Sequence, residues 1–323
     1  MAIAAANDDG ALVRGRHQVG ATELTVCTDG SFLLDGGAMF GVVPKTLWQR
    51  RMPADENNYV LLGTNCVVVR TGGAVVLIET GVGNKQSAKM RGIFQNKELL
   101  PVSLRAAGVE LDAVTHVVNT HLHFDHCGWN TTLHEDGSVT PTFRNARHFA
   151  AAGELASGRL QRDRDRVSYL GPNYDPVIAN GQMTVMDVGG AGAFTPDDVR
   201  LRAVNANGDL LPPVRVQTSA EIVPGVWVEV LPGHTPDVLG VHVESGGEHA
   251  CFVSDLIPTS RHLEPTWVMG YDLDPLRCIE ERKRFLGRAI AQDWLVLFPH
   301  DHQVPAARLM WDEKGKAAIK KEE

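Results

Sequence analysis

Thr120-His121-Leu122-His123-Phe124-Asp125-His126-Cys127-Gly128 is the stretch that decides how this chain reads. Three imidazoles and a carboxylate stand within the six residues from His121 to His126, directly after the apolar run Val114–Val118. Residues i and i+2 of an extended segment point the same way, so His121 and His123 can grip one metal ion. Asp125 and His126 lie past the turn and can hold a second ion on the far side. Nitrogen and oxygen ligands with no thiolate among them suit Zn²⁺, Mn²⁺, Co²⁺ or Fe²⁺ at a hydrolytic centre.

Working outward, the same pattern recurs in the second half. Val226–Leu231 runs into Pro232-Gly233-His234, Ala250–Ser254 into Asp255, and Trp294–Phe298 into Pro299-His300-Asp301-His302. Four apolar strands thus deliver His or Asp at their C-terminal ends, where α/β architectures place their sites. His121, His123 and His234 are expected to hold a first ion. Asp125, His126 and a last histidine would hold a second, with Asp255 bridging both. His300 directly follows its strand and is the preferred last ligand, with His302 as the alternative and Asp301 behind the site. Two ions about 3.5–4 Å apart can share a hydroxide, lower its pKa and polarise a substrate oxygen at once.

The other histidines read differently. His17, His134, His148 and His249 are expected on the surface, and His116 and His242 within strands. His262 could line the pocket. Cys127 reads as a small buried thiol beside a ligand set that is already full. Phe124, Trp267, Met269 and Tyr271 are candidates for an apolar substrate wall.

The 323 residues fit a single large α/β domain. A formal charge of −8 argues against a nucleic-acid surface, which needs clustered Lys and Arg. No stretch approaches the ~18 apolar residues of a membrane span. The five cysteines are odd in number and form no CxxC pair, which reads as reduced thiols in a cytoplasm. Residues 1–20 read as a flexible leader, 21–312 as one hydrolase domain, and 313–323 as a charged tail.

Within the domain, Thr22–Cys27 and Ser31–Leu34 around Asp29-Gly30 read as a hairpin. So do Asn65–Arg70 and Ala74–Ile78 around Gly72-Gly73. Residues 143–172 read as helices with a polar face, and Asp187 to Pro213 as a surface excursion. No internal repeat is visible.

With these motifs in place, the sequence resembles the metallo-β-lactamase superfamily. The matching elements are Ile78-Glu79-Thr80-Gly81-Val82-Gly83, the stretch Thr120–Gly128, Leu231-Pro232-Gly233-His234-Thr235-Pro236, Ser254-Asp255 and Phe298-Pro299-His300-Asp301. They stand in the family's order and span roughly Glu23 to Leu309. The resemblance implies an αββα sandwich of two mixed sheets with the metals at one edge.

His123 stands where redox-active diiron relatives carry Glu, which points to a hydrolase. Asp255 stands where some zinc β-lactamases carry Cys, which points away from that branch. Asp255–Thr259 followed by Arg261-His262 looks like the branch of quorum-quenching lactonases and methyl-parathion-type organophosphate hydrolases. Glu79 replaces the Asp usual behind the ligands, and Pro258 stands near where acyl-homoserine lactonases carry a Tyr.

The expectation is therefore a dinuclear hydrolase that uses a bridging hydroxide to open lactones or cleave activated esters or phosphotriesters, with Asp125 as the catalytic carboxylate. Zinc is the expected metal, a small-molecule ester or lactone the partner, and a homodimer is implied by relatives. A thioester hydrolase of the glyoxalase II type and a metal-binding protein without turnover are the alternatives.

Overall fold

Valine-rich runs that alternate in and out build the first sheet. The computed structural model describes residues 11–188 and 218–321. In it β1 (Val13–Val19), β2 (Thr22–Asp35), β3 (Tyr59–Thr71) and β4 (Ala74–Ile78) form an antiparallel meander. Two short helices, α1 (Gly36–Phe40) and α2 (Lys45–Trp48), join β2 to β3. After α3 (Ala88–Phe94) and α4 (Leu100–Ala106) the chain returns as β5 (His116–Val118), parallel to β4. A small two-stranded sheet, β6 (Thr131–Leu133) with β7 (Val139–Pro141), follows the metal-motif loop. Then β8 (Arg147–Ala151), α5 (Ala152–Leu160), α6 (Asp175–Ala179) and β9 (Met183–Met186) complete the sheet in the order β1-β2-β3-β4-β5-β8-β9.

The second sheet repeats the plan. β10 (Ser219–Val223), β11 (Val226–Val230), β12 (Leu239–Ser245) and β13 (Glu248–Phe252) are antiparallel in sequence order. The amphipathic helix α7 (Pro275–Ala291) crosses to β14 (Leu295–Leu297), parallel to β13. β15 (Ala306–Trp311) and β16 (Ala317–Ile319) close the edge.

The inner faces meet in one core, in which Val26, Val67, Val76, Ile78 and Val118 pack with Val226, Val228, Val241, Phe252 and Leu297. Leu100 and Leu104 of α4 cover the outer face of the first sheet. Phe285, Leu286 and Ala289 of α7 cover that of the second. The layers are therefore α, β, β, α, as expected. Among the described residues no helix is long and apolar enough to cross a membrane.

The local readings fare unevenly. Gly72-Gly73 does close a hairpin, with Thr71 opposite Ala74 and both glycines at positive φ. Asp29-Gly30 does not: β2 runs through it with a register shift between Thr28 and Ser31. The Asp29 carboxylate turns inward instead. It accepts from the backbone N–H of Val82, Gly83 and Leu100 and from Trp129 Nε1, at 2.7–3.1 Å. Four buried donors outweigh the local turn preference of the dipeptide.

The leader reading is corrected from Val13 onward, because β1 pairs along β2. The tail reading is corrected at Ala317–Ile319, which pairs with Leu309–Trp311. In both cases the open edge of a sheet recruits the strand. Residues 143–172 are not mainly helix: β8 is an inner parallel strand, and such short apolar runs cannot be told from helix by periodicity. The expected excursion from Asp187 to Pro213 lies, past Val188, outside the described residues, as do residues 1–10.

Candidate metal centre

Each candidate ligand follows a strand end closely. His121 is three residues past β5 and His300 three past β14; His234 follows β11 and Asp255 follows β13. The loop carrying His121–His126 is held by its own backbone and by the turn after β4. Asn119 Nδ2 donates to the His126 carbonyl at 3.1 Å, and the His126 N–H to the His123 carbonyl at 3.1 Å. The Gly128 N–H donates to the Gly81 carbonyl at 2.7 Å, and a Cβ at Gly128 would stand 2.1 Å from the Val82 backbone. Only glycine permits that approach.

Potential ligand atoms fall into overlapping groups whose members lie within 4.8 Å of one another: His121, His123 and His234; His121, His126 and Asp255; Asp125, His126 and His300. His123 Nδ1 is 3.1 Å from His121 Nε2 and 3.2 Å from His234 Nε2. His300 Nε2 is 3.2 Å from His126 Nε2 and 3.7 Å from Asp125 Oδ2. Asp255 stands between, with Oδ2 3.4 Å from His234 Nε2 and Oδ1 3.1 Å from His300 Nε2 and 3.5 Å from His126 Nε2.

The outer ring nitrogens fix which nitrogen faces inward. His300 Nδ1 donates to the Gly63 carbonyl at 3.0 Å. His234 Nδ1 meets Asp272 Oδ1 at 3.0 Å, and His126 Nδ1 meets Glu79 Oε2 at 3.4 Å. Glu79 Oε1 also accepts from the Thr120 N–H at 2.8 Å, so one carboxylate sets both the loop and a ligand ring.

Electrostatics favour a cation here. Burial, and then the neighbouring imidazoles, hold His121 and His123 well below the usual histidine value. Burial pushes His126 the same way, yet Asp255, Asp125 and Glu79 together raise it well above that value. Burial would raise Asp255, but His126, His300 and His234 hold it well below the carboxylate range. Asp255 Oδ1 is buried and has no hydrogen-bond partner, although its lone pairs face converging ring nitrogens. Two imidazoles held neutral, and carboxylates that draw positive charge onto the other rings, fit divalent metal ions.

A family model described as the metallo-beta-lactamase superfamily matches residues 59–309. The chain belongs to the metallo-beta-lactamase superfamily. A search of curated proteins found no match. Among solved structures, a probable metal-dependent hydrolase from Staphylococcus aureus superposes with a TM-score of 0.76 at 25% identity, covering 95% of this chain and 100% of that one. AidC, a dizinc quorum-quenching lactonase in complex with a homoserine product, superposes at 0.71 with 18% identity, covering 97% and 99%. The hydrolase AbOPH of the beta lactamase superfamily superposes at 0.69 with 19% identity, covering 95% and 98%. At these identities the last two are likenesses of fold.

On this superfamily fold the expected ligand residues lie together, and of the two last-position candidates His300 stands in a possible ligand group. His302 is half-buried, outside the ligand groups. Asp301 touches no ligand ring. Its carboxylate accepts from Ser260 N and Oγ and from the N–H of Gln303 and Val304, clamping the loop that carries His300. Phe124, Trp267, Met269 and Tyr271 share one apolar cluster with Phe32, Phe40 and Phe94. Phe94 stacks on Phe124, and Phe32 lies against the His300 ring. Burial, then Asp35 and Asp125, push the Tyr271 phenol up to about 12, so it remains a donor at neutral pH.

Other placements differ from expectation. His262 is fully buried with both nitrogens engaged, by Thr259 Oγ1 and the Met39 carbonyl, and its ring stacks on Phe40. It presents no polar atom to a ligand. His148 is buried rather than on the surface, and His249 pairs with His242 at 2.8 Å. Cys127, by contrast, is the buried thiol that was expected: it donates to the Leu122 and His123 carbonyls, and burial pushes its pKa up. Sequence reasoning missed Asp272, Glu154 and Arg282, all buried. Only Glu154 carried a signal: a lone acid inside Ala150-Ala151-Ala152-Gly153-Glu154-Leu155-Ala156.

Proposed function

We propose that the chain is a hydrolase that works with two divalent metal ions, zinc foremost, to open lactones or to cleave activated esters and phosphotriesters. The observation that carries this reading is Asp255, whose two oxygens lie 3.1–3.5 Å from ring nitrogens of both ligand groups. His121, His123 and His234 would hold one ion, and Asp125, His126 and His300 the other, with Asp255 shared. Divalent ions so held lower the pKa of a coordinated water and polarise an ester or phosphoryl oxygen.

The chain's own residues supply the rest. Asp125 is partly exposed at the rim, where its carboxylate can take a proton from the attacking water and hand it to the leaving group. Phe124, Trp267, Met269 and Tyr271 give an uncharged substrate an apolar wall and keep bulk water from it. Tyr271 can donate a hydrogen bond to a substrate oxygen.

The test is initial rates of zinc- or manganese-loaded protein on a γ-lactone, a phosphotriester, a thioester and a β-lactam in parallel. Lactone or phosphotriester turnover that a chelator abolishes is expected. His121→Ala should lower kcat/KM by more than about 100-fold, the upper end for residues that only support ligands. Turnover of the thioester alone would replace this reading with a thioesterase, and silence on all four would sink it.

A further inference from the structure

Glu154, in the first turn of α5, is fully buried and touches no ligand ring through a hydrogen bond. Its carboxylate nevertheless gathers donors from three segments that bear on one ligand group. The Leu122 N–H, in the peptide between His121 and His123, donates to Oε2 at 3.4 Å. The Thr235 hydroxyl, directly after His234, donates to Oε1. The Tyr169 hydroxyl donates to Oε2 at 3.1 Å, and the Tyr169 ring meets His123 edge-on at 4.8 Å. The second group is held by other means: Asn119 and Glu79 for His126, and Gly63 and Phe32 for His300.

We propose that Glu154 is the positioning residue for His121, His123 and His234, setting the affinity of that group for its ion while leaving the Asp125–His126–His300 group alone. The proposal rests on the two-ion reading above. A carboxylate suits the post because three donors reach it and it carries none of its own. Glutamine can keep the same geometry, accepting from Tyr169 and Leu122 while its amide donates to Thr235 Oγ1. Alanine leaves three donors without a partner and frees both ligand segments to shift. Loss of such a support costs about 10- to 100-fold in metal affinity.

The experiment is cobalt(II) titration of metal-free protein followed by absorption, in two backgrounds. In His300→Ala only the first group is complete. There Glu154→Ala should raise the cobalt Kd by about 10- to 100-fold and Glu154→Gln should stay close to the parent. In His234→Ala only the second group is complete, and Glu154→Ala should leave the Kd unchanged. Equal losses in both backgrounds, or no loss in the first, overturn the proposal. If Glu154→Ala does not fold, Tyr169→Phe and Thr235→Val each remove one donor and carry the same comparison. Wild-type protein that takes up no cobalt overturns the two-ion reading and this proposal with it. Two ions bound without the background-dependent loss overturn this proposal alone.

Discussion

Arg282 shows how much of the site depends on a side chain that never reaches it. Its guanidinium is fully buried on α7 and donates to the Leu256 carbonyl, next to Asp255, and to the Trp267 carbonyl in the pocket wall. It also stands 3.8 Å from Asp272, the carboxylate behind His234. Arg282→Met keeps the bulk but removes the buried cation beside Asp272 and the donor to the Leu256 and Trp267 carbonyls, so it should cost about 3–5 kcal/mol of stability, the usual result of removing one partner of a buried pair. Chemical denaturation of the metal-free protein measures this; an unchanged midpoint would contradict it. The candidate ligands were legible because their chemistry is local: two histidines two apart on an extended segment, and His or Asp just past an apolar run. Asp272 and Arg282 were not, because an acid in a loop and an arginine on a helix look like surface residues until the fold brings them together.

At the scale of elements, the turn after β4 and the loop after β5 cross almost in contact. Gly128→Ala would drive a methyl into the Val82 backbone and push the loop off the turn. Overpacking of this kind costs about 1–3 kcal/mol. It should also weaken metal binding, because His126 and Glu79 sit on the two parts being separated. Tm with and without metal reads both effects: a larger loss in the metal-loaded protein is expected, and equal losses would restrict the glycine to a folding role. The strands were legible where valines alternate or a two-glycine turn joins them. Asp29-Gly30 misled because its long-range partners on α4 and the β4 turn are invisible in the local sequence. β8 misled because an inner strand need not alternate.

For the whole molecule, three buried or half-buried imidazoles away from the candidate ligands should make stability fall in acid. Burial pushes His148 and His262 down to about 3, and burial followed by His242 does the same to His249. Each has an ordinary value of 6.5 in the unfolded chain, so below that pH the unfolded state binds more protons. Their contribution is intact above pH 6.5 and is lost as the pH falls toward 3. His148→Leu should flatten the decline of unfolding free energy between those limits by one proton's worth, measured by urea titration across pH; an unchanged slope would show that His148 does not titrate on unfolding. The layered architecture was expected from the order of the motifs, but no repeat was visible in the residues. The backbone shows one. Each sheet opens with a four-stranded meander, turns at a left-handed residue (Glu79 or Ser254), and returns on a parallel strand whose third following residue is a histidine, His121 or His300. Two stretches of different sequence thus follow one backbone plan, and each places a histidine at the same step of it. The candidate metal centre therefore lies where two units of one plan abut, so a shift of either sheet against the other would pull His121 and His300 apart.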